Sequence, residues 1–109
     1  MRKIYIAHPL LGDMDRKNAD RIVPIQNRHR AGEICRELAE KHPHVLILSP
    51  IHAFAFLDLL ERERSLAFCR ELLSLADELW VFGDWRTSEG CRKEIEWAKG
   101  MGKPVVFHV

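Results

Sequence analysis

Runs of consecutive apolar residues alternate along this chain with stretches in which apolar positions recur every three or four residues. The first pattern predicts strands and the second amphipathic helices. "KIYIAH" at 3–8 is a short β-rich run closed by His8-Pro9, and the Gly- and Asp-containing stretch to about Pro24 reads as a long loop. From about Asn27 to Lys41, residues Ala31, Ile34, Cys35, Leu38 and Ala39 keep helical spacing until His42-Pro43 ends it. "VLILSP" at 45–50 is continuously apolar, as expected of a strand covered on both faces. "IHAFAFLDLL" reads as a loop with a short helix. From about Glu61 to Ala76, residues Ser65, Leu66, Cys69, Leu72, Leu73 and Ala76 mark a second long helix. "ELWVFG" at 78–83 is a third strand, followed by the loop "DWRTSEG", a helix to about Met101, a Gly102 stop and the final strand "PVVFHV".

Strand–helix alternation with apolar strands implies parallel βαβ units, and so a three-layer α/β sandwich with a mainly parallel sheet of four to five strands. With 109 residues the chain forms one domain, residues 1–109, and has no internal repeat. In such sheets ligands bind beyond the carboxyl ends of the strands, where strand order reverses. That rule selects His8 to Asp13, Ser49 to His52 and Gly83 to Gly90 as the segments that would meet a ligand.

Seventeen basic residues against sixteen acidic ones give a net charge of +1, so no global field favours nucleic acid or an anionic membrane. A small-molecule partner fits better. No apolar run approaches the roughly 20 residues of a membrane helix, and "MRKIYIAHPLLGD" has no signal-peptide cleavage pattern, so a cytoplasmic protein is expected. Cys35, Cys69 and Cys91 are odd in number, widely spaced and set within helical patterns, which suits reduced thiols.

The segment "TSEGCRKEIEWA" at 87–98 carries the most chemistry. Thr87, Ser88 and Gly90 lie where a helix begins and its first N–H groups lack partners. Ser88 there either caps the helix or donates its hydroxyl to an anion, and Gly90 would let a ligand approach the backbone. Glu94 stands one turn further in, beside the apolar stripe of Cys91, Ile95, Ala98 and Gly102. It is either a buried residue that pairs with an arginine such as Arg70 or Arg62 or bonds a loop backbone, or a working carboxylate.

His8 and Pro9 after the first strand, His52 after the second, and Asp84 and Trp85 after the third complete the candidates for contact with a base or phosphate. Trp85 would stack on a base or lie at a subunit interface. Trp80 belongs to the core, and Asp77 to backbone anchoring. No His/Asp/Glu set has metal-like spacing, so neither metal nor cofactor is expected.

Tyr5 in "KIYIAHPL", the strand "ADELWVFG", the helix residues Asn27, Ala31 and Cys35, and Ser88-x-Gly90-x-x-x-Glu94-x-x-x-Ala98 together resemble the nucleoside 2-deoxyribosyltransferase superfamily. The likeness is closest to a small uncharacterised branch found in bacteria and phages, and covers nearly the whole chain with an insertion before Asn27. It implies a flavodoxin-like fold and a nucleoside or nucleotide ligand. It also implies that Glu94 attacks the anomeric carbon to form a glycosyl ester, that Tyr5 contacts nucleophile and sugar, and that Ser88 holds a 5′-phosphate. Transfer to another base or to water would follow. A homo-oligomer, dimeric or larger, is a further implication. The chain departs from the superfamily at Cys69, where an aspartate assists the leaving base, so a non-catalytic nucleotide-binding or sensor module is the alternative expectation.

Overall fold

The computed structural model describes residues 1–10, 22–56 and 60–108, with the backbone alone described at 22–24. Asp13, at the far end of the first ligand segment, lies outside the described residues. The elements are β1 (Arg2–Ala7), α1 (Ile22–Lys41), β2 (Val45–Leu48), the single-turn α2 (Pro50–Ala53), α3 (Arg62–Ser74), β3 (Glu78–Phe82), a 3-10 turn (Trp85–Thr87), α4 (Glu89–Gly100) and β4 (Val105–His108). Helix α1 begins earlier than the apolar spacing marks. Pro24 falls in its first turn, where a missing N–H breaks no helical bond. Further along, the Asn27 Nδ2 amide donates to the Leu10 carbonyl at 2.7 Å and ties α1 to the end of β1.

All strands pair in parallel, in the order β2-β1-β3-β4. The order reverses between β1 and β3, so their carboxyl ends flank the crevice at which such sheets bind ligands. This flavodoxin-like arrangement places helices on both faces. Tyr5, Ala7, Leu79 and Val81 pack with Leu73, Cys91, Ile95 and Ala98 under α3 and α4, while Ile4, Ile6 and Trp80 pack with Cys35 and Leu38 under α1. Burial of each large apolar side chain contributes about 1.5–3 kcal/mol, which makes the two central strands the anchor of the domain.

The edge strands differ from the expectation. Strand β2 is not covered on both faces, since it ends the sheet and Leu46 keeps 43 % of its surface exposed. A continuous apolar run fits a buried central strand and a half-covered edge equally well.

Two anchors fix the helix ends. Gly102, at φ 72°, closes α4: its N–H donates to Lys99 O at 3.1 Å, and the Lys103 N–H donates to Ala98 O at 2.9 Å. The Lys103 Nζ ammonium then donates to the carbonyls of Leu73, Ser74 and Ala76 at 2.8, 2.7 and 2.6 Å, which satisfies the end of α3. Asp77 secures backbone as expected, with its carboxylate accepting from the Lys3 N–H at 2.7 Å.

Candidate active site

Tyr5 lies in the central strand β1, and its alternation sends the ring to the face covered by α3 and α4. Helix α4 buries Cys91, Glu94, Ile95 and Ala98 along one side, which brings Glu94 to the same face. Tyr5 has no exposed surface and Glu94 has 7 %. Cys69 of α3 completes the group from the neighbouring helix.

The Tyr5 hydroxyl is enclosed, and no neighbour among the described residues meets it with ordinary hydrogen-bond geometry. Glu94 and Cys69 are nonetheless the polar groups that act on it; burial first, then their negative charge, raises the phenol well above its usual range. The Tyr5–Glu94 pairing is therefore a loose one, and a buried hydroxyl without a closed bond is a group that an incoming polar atom would satisfy. Burial raises the Glu94 carboxyl to about 8, opposed only by the Tyr5 hydroxyl, which favours the ionised form. Glu94 forms no ion pair among the described residues. Arg62 instead meets Glu89 at 2.8 Å, and the Arg70 guanidinium lies 5.9 Å from the Trp97 ring centroid. The arginine-paired reading of Glu94 is thereby set aside.

The amino end of α4 is capped by its own residues. The Ser88 Oγ accepts from the Cys91 N–H at 3.2 Å, and Thr87 Oγ1 donates to the Asp84 carbonyl at 2.7 Å. Capping uses Ser88 as an acceptor, and its hydroxyl also acts on the Cys91 thiol, favouring the ionised form. Gly90 leaves this corner open among the described residues, where a Cβ would meet only Ser88 Oγ, at 3.8 Å. The Trp85 ring packs on Phe107 of β4 at 5.3 Å, with the Arg86 guanidinium 5.1 Å from its centroid. Strand β4 offered an apolar partner that loop sequence does not reveal. The side chain of Asp84 is exposed, while its carbonyl organises the turn.

His8 and Pro9 occupy the crevice between β1 and β3. The His8 Nδ1–H donates to the Pro9 carbonyl at 2.7 Å, which leaves Nε2 as an acceptor. Burial, and the charge of Arg30 on α1, lower the imidazole's pKa and keep it neutral. Gly83 makes this packing feasible: at φ 72° it lets β3 pass so close that a Cβ would stand 3.1 Å from Pro9 Cδ and 3.3 Å from His8 Nε2. Sequence reasoning gave Gly83 no role of its own; the Phe-Gly-Asp step ending an apolar strand was the available signal. His52 goes elsewhere. Its Nδ1 meets Ser49 Oγ at 2.6 Å, and it lines an open groove of about 720 Å³ along α1 with Ile25, Arg28, Gly32 and Arg36, under the opposite face of the sheet from Tyr5.

Among the described residues no three His, Cys, Asp or Glu side chains converge on a metal position, and no helix is long and apolar enough to cross a membrane. None of the three cysteines forms a disulfide, and the buried Cys91 is raised to about 12, chiefly by burial.

A sequence-family model described as Domain of unknown function (DUF7768) matches residues 2–108. No curated protein matches at a significant level. Among solved structures, the chain is similar to a 2-desoxiribosyltransferase from Leishmania mexicana, with a TM-score of 0.66 and 16 % identity over 98 % of this chain. The chain spans 63 % of that protein's length. At this identity the likeness establishes a common fold.

Proposed function

The chain belongs to the DUF7768 family, and within it we propose that this domain binds a nucleoside or nucleotide and cleaves or transfers its N-glycosidic bond through Glu94. The observation that carries the proposal is the enclosed pair of Tyr5 and Glu94, set on the central strand and the helix beside the sheet's reversal point. Glu94 as carboxylate attacks the anomeric carbon, and the bond to the base breaks as the ester forms. Water or a second base then attacks the same carbon and restores the carboxylate. Tyr5 orients the carboxylate and favours its ionised form. Ser88 and the open corner at Gly90 receive a 5′-phosphate at the amino end of α4, where unpartnered N–H groups and the helix dipole favour an anion. The neutral His8, with Nε2 as acceptor, takes a hydroxyl or amino group of the ligand. The fold shared with a 2-desoxiribosyltransferase supports this reading.

A second reading is a nucleotide-binding or sensor module without turnover. Cys69 favours it, since a thiol beside Tyr5 is a poor acid for a departing base. Incubation of purified protein with ribo- and deoxyribonucleosides and their 5′-monophosphates separates the two. Free base from the wild type and none from Glu94→Ala supports cleavage; thermal stabilisation by one ligand without base release supports the sensor. We further propose a cytoplasmic homo-oligomer. The edge strand β4 exposes Val106 and Phe107, and Leu75 at the end of α3 is 65 % exposed; light scattering of the purified protein would test the assembly.

A further inference from the structure

Among the described residues, Glu94 forms no ion pair, and Tyr5 is the polar group that acts on it most directly. Four arginines of α3, the 3-10 turn and α4 have partners other than Glu94: Arg62 meets Glu89, Arg70 lies over Trp97, Arg86 over Trp85, and Arg92 donates through Nη1 to the Arg86 carbonyl. The polar groups described around it are the Tyr5 phenol from β1, the Cys69 thiol from α3, and Cys91 and Ser88 from α4. None is a proton donor of carboxylic strength. At the end of β1, His8 has its single ring N–H committed to the Pro9 carbonyl. Glycosidic cleavage of a neutral nucleoside requires two things of such a pocket, a charged nucleophile and a proton for the base. A substrate that is itself a cation favours the first through its charge and makes the second unnecessary.

We infer that the Glu94 site takes N-glycosides whose base is a ring cation, such as pyridinium or N7-alkylated purine nucleosides, and cleaves them without protonating the leaving base. The inference rests on the reading of Glu94 as nucleophile. Entry of the cation places a positive charge beside the enclosed carboxyl, which then releases its proton to solvent. The carboxylate oxygen bonds to the anomeric carbon while the carbon–nitrogen bond breaks, and the bond's electron pair cancels the charge of the ring. The base departs neutral. Water adds to the same carbon, the ester bond breaks to return the carboxylate, and the water's second proton goes to solvent. The products are the free sugar, the neutral base and one proton.

The test pairs nicotinamide riboside and N7-methylguanosine, with their 5′-monophosphates, against adenosine and guanosine and theirs. Base release by wild type and by Glu94→Gln is measured as acceleration over spontaneous hydrolysis. Acceleration of the cationic set should exceed that of the neutral set by roughly 100-fold or more and vanish in Glu94→Gln. Calorimetry near neutral pH in buffers of different ionisation enthalpy should show about one proton released as nicotinamide riboside binds wild type, and none in Glu94→Gln. Equal acceleration of the neutral set by a Glu94-dependent route would overturn this inference and leave the proposed function standing. Failure to cleave either set, with no proton released, would remove both. Tighter binding of the neutral 1,4-dihydro form of the same riboside would likewise overturn the cation preference. The two base types and their monophosphates show which source of the charge the site selects.

Discussion

Tyr5 and Glu94 meet across the contact between the central strand and helix α4, each enclosed, with the phenol tempering the rise that burial imposes on the carboxyl. This relationship sets an ionisable pair on an otherwise apolar helix face. Isolated burial would leave Glu94 protonated and inert, whereas a hydroxyl that favours the anion keeps the charged form within reach.

Glu94→Gln should reduce base release by roughly a thousandfold or more while leaving the circular dichroism spectrum unchanged. The wild-type kcat/KM should climb with pH towards a plateau as the carboxyl ionises near 8. Because the folded-state pKa lies above the ordinary 4.5, the native protein retains a proton that the unfolded chain has released. The associated stability is full below about 4.5 and is lost as pH rises through about 8. Thermal melts should therefore favour Glu94→Gln increasingly over that window, by on the order of a few kcal/mol at its upper end. A difference in Tm that does not vary with pH would contradict the raised carboxyl.

Tyr5→Phe removes a hydroxyl that has no closed hydrogen bond, so stability should change by only about 1 kcal/mol in either direction. Turnover should fall by roughly tenfold or more, and the rising limb of the pH profile should move to higher pH, since the group that favours ionised Glu94 is gone. A limb that stays in place would mean that the phenol does not act on the carboxyl.

Gly90→Val projects a side chain into the open corner beside Ser88 while meeting little of the protein. Melting should be nearly unaffected. Affinity for 5′-monophosphates should drop by roughly tenfold or more, and affinity for the parent nucleosides should hold, because the amino end of α4 receives only the anion. Unaltered monophosphate binding, read by titration calorimetry, would exclude that corner.

Lys103→Met keeps the length of the side chain and removes three hydrogen bonds to the end of α3. Urea unfolding should register a loss of about 1–3 kcal/mol, with the slope unchanged. Since α3 also carries Cys69 to the site, weaker ligand binding in this variant would show that the anchor positions the pocket.

Much of the architecture was legible in the chain because spacing encodes it. Period-3.6 stripes marked α1, α3 and α4, apolar runs marked the strands, and Gly102 marked the end of α4 where a positive φ was needed. Ser88 as a cap and Glu94 on the buried side of its helix were also legible, for both follow from position along a helix. The start of α1 was not, because its first turn lies outside the apolar stripe.

By itself the sequence determined which residues share a face, since that depends on periods set by the backbone. Only the tertiary structure decided which faces meet. It made β2 an edge, turned Trp85 onto Phe107, sent His52 to the groove along α1, and spent Arg62 and Arg70 on partners other than Glu94. These outcomes depend on contacts between residues far apart in the chain, where burial and charge pairing are set by what the fold brings alongside and no local spacing records it.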